Sequence, residues 1–204
     1  MLASATQTDK VHNILFAGVG GQGVLLAAEL TALAALRMGF DVKQTEVHGV
    51  SQRGGSVECH VRFGPRVWSP MVTPGEADLV VGLEKLEALR FAHFVQRSYG
   101  TILVNDHAII PGSVAGAQET YPFHAIEFLQ QKSYRVMAMP ASRVARDLGD
   151  GRMVNTVMLG AASALIPIPE ETWLSVLESR LPARFRDANL KAFAAGRELA
   201  AGSA

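Results

Sequence analysis

Cysteine is nearly missing from this sequence: Cys59 stands alone among 204 residues. A single thiol excludes an intrachain disulfide and any zinc or iron–sulfur site built from this chain's own cysteines. A charge imbalance is missing too. Nineteen basic residues offset nineteen acidic ones, and no block of like charge stands out, which argues against a nucleic-acid or anionic-membrane surface. The longest apolar run, Val24 to Leu36, covers about 13 residues and is broken by Glu29 and Thr31, too short to span a bilayer. The opening MLASATQTDKV is small and polar, without the apolar centre of a signal peptide, so the cytoplasm is the expected compartment. There is no G-x-S-x-G, no H-E-x-x-H, no P-loop and no paired-carboxylate motif. His12, His93, His107 and His124 form no metal-ligand spacing. Taken alone, the chain offers no nucleophile, redox centre or metal site.

What is present is an apolar-rich chain, 49% hydrophobic and 19% charged, able to bury a large core. Near-neutral charge with that composition suits a subunit better than a free monomer. The stretch Asn13 to Gly23, NILFAGVGGQG, organises the rest. An apolar run (Ile14, Leu15, Phe16, Ala17) breaks at Gly18 and enters a helix-like segment at Val24, with Gly18, Gly20 and Gly23 on the G-x-G-x-x-G spacing. Glycine there permits a tight turn, close approach of backbone N–H groups to an anion, and close packing of helix on strand. A helix N-terminus adds free N–H groups and partial positive charge. The same turn also serves as plain packing with nothing bound, and both readings stay open.

A strand at 12–18, a helix at 22–38 ended by Gly39, and a strand at 41–47 read as a βαβ unit with β-strands paired in parallel. Glu46 follows Gly23 at roughly the 20-residue spacing of a ribose-binding carboxylate. Next comes a polar, glycine-rich loop with His48, Ser51, Gln52, Arg53, Gly54 and Gly55, able to grip a phosphate or carboxylate, or to contact another subunit. Ser56 to Phe63 alternates as a half-buried strand. Val57, Cys59, Val61 and Phe63 face the core, while Glu58, His60 and Arg62 read as a surface ladder or interface strip. Arg66 to Ser69 is a possible hairpin return. Buried strands follow at 78–83 and 101–105, another strand at 134–139, and helices at 84–96, 123–132 and 141–148. Met153 to Ile166 reads as a fully buried helix with Asn155 needing a buried partner. Helices at 170–180 and 183–199 close the chain. The expected fold is α/β and Rossmann-like, a mostly parallel sheet flanked by helices with a helical C-terminal part. Residues 1–11 read as a flexible tail and 12–204 as one domain.

Gly18 to Gly23 with Glu46-Val47-His48-Gly49-Val50-Ser51-Gln52-Arg53-Gly54-Gly55 resembles the gamma-type domain of the 2-oxoacid:ferredoxin oxidoreductases, in its indolepyruvate branch of small subunits. The similarity runs over about 12–196. It includes Glu76 to Leu79, Leu86 to Arg90, Val104-Asn105, Asn155, Leu159 to Ala161, Pro169 to Glu171 and Asn189 to Phe193. The resemblance implies a large partner subunit that holds thiamine diphosphate and iron–sulfur clusters and decarboxylates the 2-oxoacid. It also implies coenzyme A as acyl acceptor, ferredoxin as electron acceptor, and a hetero-oligomer in which this chain binds no redox cofactor and is inactive alone. By the same resemblance, Gly18, Gly20, Gly21, Gln22 and Gly23 form the anion-facing turn. Glu46, His48, Ser51, Gln52, Arg53, Gly54 and Gly55 line the subunit junction or coenzyme cleft, with Gln52 and Arg53 supplying hydrogen bonds and charge. Two alternatives stand beside it. One is a stand-alone NAD(P)-dependent dehydrogenase using Gly18–Gly23 and Glu46. The other is a non-catalytic module that self-associates through Ser51–Gly55.

Overall fold

The computed structural model describes residues 10–49, 54–110 and 120–202. A six-stranded sheet carries β1 (His12–Val19), β2 (Asp41–His48), β3 (Ser56–Gly64), β4 (Leu79–Gly82), β5 (Thr101–Asn105) and β6 (Val136–Met139) in the order β2-β3-β1-β4-β5-β6. Three of its five pairings are parallel (β1–β4, β4–β5, β5–β6) and the two involving β3 are antiparallel. The central strands are apolar through their middles because both faces are covered. Ile14, Phe16, Val81 and Leu103 enter one core, and Leu15, Ala17, Val80 and Ile102 the other.

Helices α1 (Val24–Arg37), α4 (Ala141–Asp147), α5 (Val154–Ser163), α6 (Glu170–Arg180) and α7 (Ala183–Ala201) supply the first core. Helices α2 (Lys85–Phe91) and α3 (Ala125–Gln131) supply the second. The mostly parallel α/β architecture and its helical C-terminal part match the sequence reading. Among the described residues no helix is long and apolar enough to cross a membrane. Of the expected tail, residues 1–9 lie outside the described residues, and Lys10 is tied to Asp78 at 2.5 Å.

Two expectations are corrected. β1 and β2 are not paired; β3 lies between them, bonded antiparallel to both, with Phe16 opposite Cys59 and Glu46 opposite Cys59 on its other side. The alternating pattern of β3 explains the insertion: Val57, Cys59, Val61 and Phe63 extend the apolar face that Ile14 and Phe16 begin, so β3 buries more beside β1 than the half-exposed β2 does. Arg66 to Ser69 forms no strand. Its backbone bonds to side chains instead, Val67 N–H donating to Asp41 Oδ2 at 2.8 Å and Arg62 donating to the Ser69 carbonyl at 2.9 Å.

Helix α1 ends as the glycine signal indicates. Gly39 takes φ 83°, and the N–H groups of Gly39 and Phe40 reach back to the carbonyls of Leu36 and Ala35. Helix α5 is buried on every side and lies against α7 at backbone contact. A Cβ at Gly160 would sit 2.1 Å from the Phe193 carbonyl oxygen, and one at Gly196 only 1.9 Å from that of Val157. Because backbone rather than a flexible side chain is in the way, Gly160→Ala and Gly196→Ala are each expected to cost about 1–3 kcal/mol by forcing the helices apart. Gly151→Ala, whose Cβ would meet only Arg146 Cγ at 3.5 Å, is expected to stay within about 0.5 kcal/mol of wild type. Urea denaturation of the three variants checks this; equal midpoints would refute the close helix contact.

Candidate functional site: the cleft at the glycine turn

At the carboxyl end of β1 the chain turns through Gly20 and Gly21, the Gln22 N–H closing on the Val19 carbonyl at 3.0 Å. Gly23 precedes α1 with φ 78°, a left-handed conformation that an L side chain rarely adopts. Its carbonyl accepts from Ala27 N–H at 3.1 Å and from Asn155 Nδ2 at 3.4 Å, so Asn155 finds the partner its apolar helix demands. A Cβ at Gly23 would come within 2.5 Å of that Asn155 nitrogen. Gly18 is buried beneath the turn, where a Cβ would strike Val24 Cγ2 at 2.8 Å. Gly18 thus allows helix–strand contact, and Gly23 allows the turn itself.

Two stretches far apart in sequence meet here. Gly20 N–H donates to the Gly55 carbonyl at 2.8 Å, setting Gly54 and Gly55 beside the turn. Gly20, Gly21, Gly23, Glu46 and His48 line one cleft of about 460 Å3, together with Val19, Val24, Leu25 and Val57. Ser51, Gln52 and Arg53 lie outside the described residues. Among the described residues the lining holds no lysine or arginine; its charge is the Glu46 carboxylate, and its remaining polar side chain is His48, whose Nδ1 donates to the Gly49 carbonyl at 3.0 Å. The N–H groups opening α1 have no intrahelical partner. Val24 and Leu25, at that helix start, line the cleft.

Gln22 does not line that cleft. Its Oε1 accepts the Val19 N–H at 2.7 Å, and its Nε2 donates to the Leu83 carbonyl at 3.0 Å. The carboxamide therefore lies between the ends of β1 and β4, where the connections diverge to opposite faces of the sheet and where doubly wound folds bind ligands. The N–H groups of Val19, Gly20 and Gln22 are all engaged inside the protein and are closed to a pyrophosphate.

The Leu83 carbonyl also accepts Asn105 Nδ2 at 3.0 Å, and Asn105 Oδ1 accepts the Ser142 N–H at 3.1 Å. Next to it Glu84 is buried to 1% exposure. It accepts from the N–H groups of Glu87 and Ile109, each at 3.0 Å, and from the Tyr121 hydroxyl. Burial, followed by the bond to Glu84, pushes the Tyr121 phenol well above its usual range. Glu84 also caps the start of α2, its side chain accepting the Glu87 N–H, where negative charge is favourable. Its position directly after an apolar strand is the signal that marks it as buried.

The Glu58–His60–Arg62 face is not a surface ladder. His60 is fully buried under the loop after β3, with Nδ1 accepting the Val72 N–H at 3.2 Å, and Phe94 packs edge-on at 5.6 Å. Its protonated Nε2 faces Glu58 Oε1 at 3.8 Å, beyond hydrogen-bond range. Burial, reinforced by Arg62, lowers the His60 pKa, while burial raises that of Glu58. Arg62 is bonded inward, its Nε donating to Asn13 Oδ1 at 2.7 Å. Cys59 is a core residue as expected, fully buried with its thiol pushed up to about 12. Among the described residues no cluster of His, Cys, Asp and Glu gathers that could hold a metal ion.

The profile of the pyruvate ferredoxin/flavodoxin oxidoreductase family matches residues 13–199. The chain belongs to this family. It is 38% identical over 192 residues to indolepyruvate oxidoreductase subunit IorB of Thermococcus kodakarensis, covering 92% of this chain and 95% of that protein. The same subunit of Pyrococcus horikoshii is 36% identical over equal shares of the two chains. Among solved structures, the gamma subunit of a keto/oxoacid ferredoxin oxidoreductase from Geobacter sulfurreducens superimposes with a TM-score of 0.71 at 25% identity, over 94% of this chain and 99% of that one. These relatives give no support to a stand-alone NAD(P) dehydrogenase.

Two measurements test this geometry. Gln22→Met keeps length and volume but loses both hydrogen bonds, and is expected to lower unfolding free energy by about 1–3 kcal/mol in urea titration. For His60 the folded pKa lies below the unfolded one, about 6.5, so the unfolded chain takes the proton first. The contribution is complete above pH 6.5 and is lost as pH falls from there toward the folded pKa, by at most about 1.4 kcal/mol per pH unit. The stability difference between wild type and His60→Gln should therefore be constant above pH 7 and shift toward the variant on acidification to pH 5. A difference that does not vary with pH would mean His60 is not held neutral.

Proposed function

We propose that this chain is the small subunit of an indolepyruvate-type 2-oxoacid ferredoxin oxidoreductase, a complex that oxidatively decarboxylates aryl 2-oxoacids to acyl-coenzyme A. The observation that carries the reading is the family match over residues 13–199, joined to near-complete coverage of IorB-type relatives. In this reading the large subunit holds thiamine diphosphate and the iron–sulfur clusters and passes electrons to ferredoxin. The residues here do not fit a cluster: one buried cysteine with a raised pKa cannot ligate one.

The cleft at the glycine turn supports a narrower role. Its apolar walls, Val19, Val24, Leu25 and Val57, suit the pantetheine arm of coenzyme A better than the lining suits phosphates. Gln52 and Arg53, which precede Gly54 and Gly55 in sequence, are in this proposal the residues that supply hydrogen bonds and charge to the ligand. The compartment in this proposal is the cytoplasm.

Titration of the purified chain with NAD(H) and NADP(H) is expected to give no heat, and assays with indolepyruvate, coenzyme A and a ferredoxin-type acceptor no turnover. Adding the large subunit should restore turnover. Micromolar binding of a nicotinamide nucleotide to the isolated chain would overturn the subunit reading.

A further inference from the structure

The two tryptophans of this chain sit at opposite extremes. Trp173 is fully buried and donates its indole N–H to the Ile168 carbonyl at 3.2 Å. Trp68 is 82% exposed, in the loop that leaves β3. An exposed indole on a floppy loop would mean little, but the backbone here is braced at every other residue. Val67 N–H donates to Asp41 Oδ2 at 2.8 Å, and Arg62 donates to the carbonyls of Ser69 and Met71 at 2.9 and 3.1 Å. Met71 N–H reaches Ser69 Oγ at 3.3 Å, and Val72 N–H reaches the buried His60. Val67 and Val72, at the two ends, are buried to 3% and 2% exposure. The loop is thus pinned on both sides of an indole that none of these braces covers. The Arg66 guanidinium stacks on it, 4.2 Å from the ring centre.

Tryptophan and arginine are the residues that most often carry the energy of a protein interface, and a loop already held in place loses little freedom on binding. Met71, 43% exposed, extends the apolar surface. The charge decides what kind of protein fits. Arg66 to Met71 contains no acid, and the nearby Asp41 is engaged by Val67 and by Lys43 at 2.5 Å. Two copies meeting through this loop would bring guanidinium against guanidinium. A different chain, offering an apolar pocket rimmed by carboxylates, complements both the ring and the charge.

We propose that the Arg66–Met71 loop is a docking surface for the large partner subunit, Trp68 entering an apolar pocket and Arg66 pairing with acidic side chains around it. The inference rests on the subunit reading above.

The test uses the full chain labelled with 5-fluorotryptophan and reconstituted with unlabelled large subunit. Two fluorine resonances are expected, assigned with Trp68→Phe. On complex formation the Trp68 signal should shift and lose its sensitivity to solvent isotope, while Trp173 stays protected throughout. Trp68→Ala should weaken association by about thirtyfold or more, and Arg66→Glu should weaken it too, both melting at the wild-type temperature because the side chains are exposed. A complex that forms with the Trp68 signal unmoved and unchanged affinity in Trp68→Ala would overturn the docking surface and leave the subunit reading standing. Failure of the intact chain to bind the large subunit would overturn both. Concentration-dependent self-association abolished by Trp68→Ala would assign the loop to a second copy and overturn the proposal.

Discussion

The Leu83 carbonyl is the point on which the carboxyl edge of the sheet depends. It directly follows β4, and two carboxamides converge on it, Gln22 from the turn after β1 and Asn105 from the end of β5. Asn105 in turn bonds Ser142 at the start of α4. One acceptor thus joins the segments that follow β1, β4, β5 and β6. Such bonds inside a protein are individually modest, but each group left without its partner in a buried place costs more than the bond contributes. The register of this edge is therefore determined collectively, and the glycine turn inherits its shape from neighbours across the sheet.

This arrangement separates appearance from capacity in the dinucleotide-type motif. G-x-G-x-x-G spacing reports a strand, a tight turn and a close helix, and the structure has all three. It does not report where the side chain in the fifth position goes. Here Gln22 turns inward and takes the N–H of Val19, while Gly20 pairs with Gly55. The Gly20 and Gln22 donors of the turn are taken by the protein itself, so this part of the turn acts as a structural joint, and the pocket lies to one side, among apolar residues, Glu46 and His48.

Much of the chain was legible from its pattern. Periodicity located β1, α1, β4, β5 and the buried α5, because each is decided locally by apolar spacing and glycine or proline punctuation. The placement of β3 was not, since strand order depends on which surface buries more area, and an alternating strand fits several neighbours equally well. The same limit misled the reading of His60 and Glu58. Alternation says that they oppose Cys59 and Val61, but only the chain from Val67 to Val72 laid over them makes that face interior. Of the site, Gly20, Gly21, Gly23, Glu46 and His48 were found in sequence and converge in one cleft. The bonds of Glu84, Asn105 and Tyr121 were not legible, because they join residues far apart in sequence.

The division of polar groups within the molecule follows from these observations. The carboxyl edge uses its amides, Glu84 and Tyr121 to bind itself, and the core faces are apolar on both sides of the sheet. In the proposals above, two places engage another molecule: the cleft with Glu46 and His48, and the braced loop presenting Trp68 and Arg66. These sit at opposite ends of β3, whose Ser56 end lies beside the glycine turn and whose Gly64 end leads into the tryptophan loop. A rigid strand bonded along both edges links them, so a partner gripping the loop would hold the cleft at a set position relative to itself. In the proposed reading, such a link would let this chain shape an active site whose chemistry another subunit supplies.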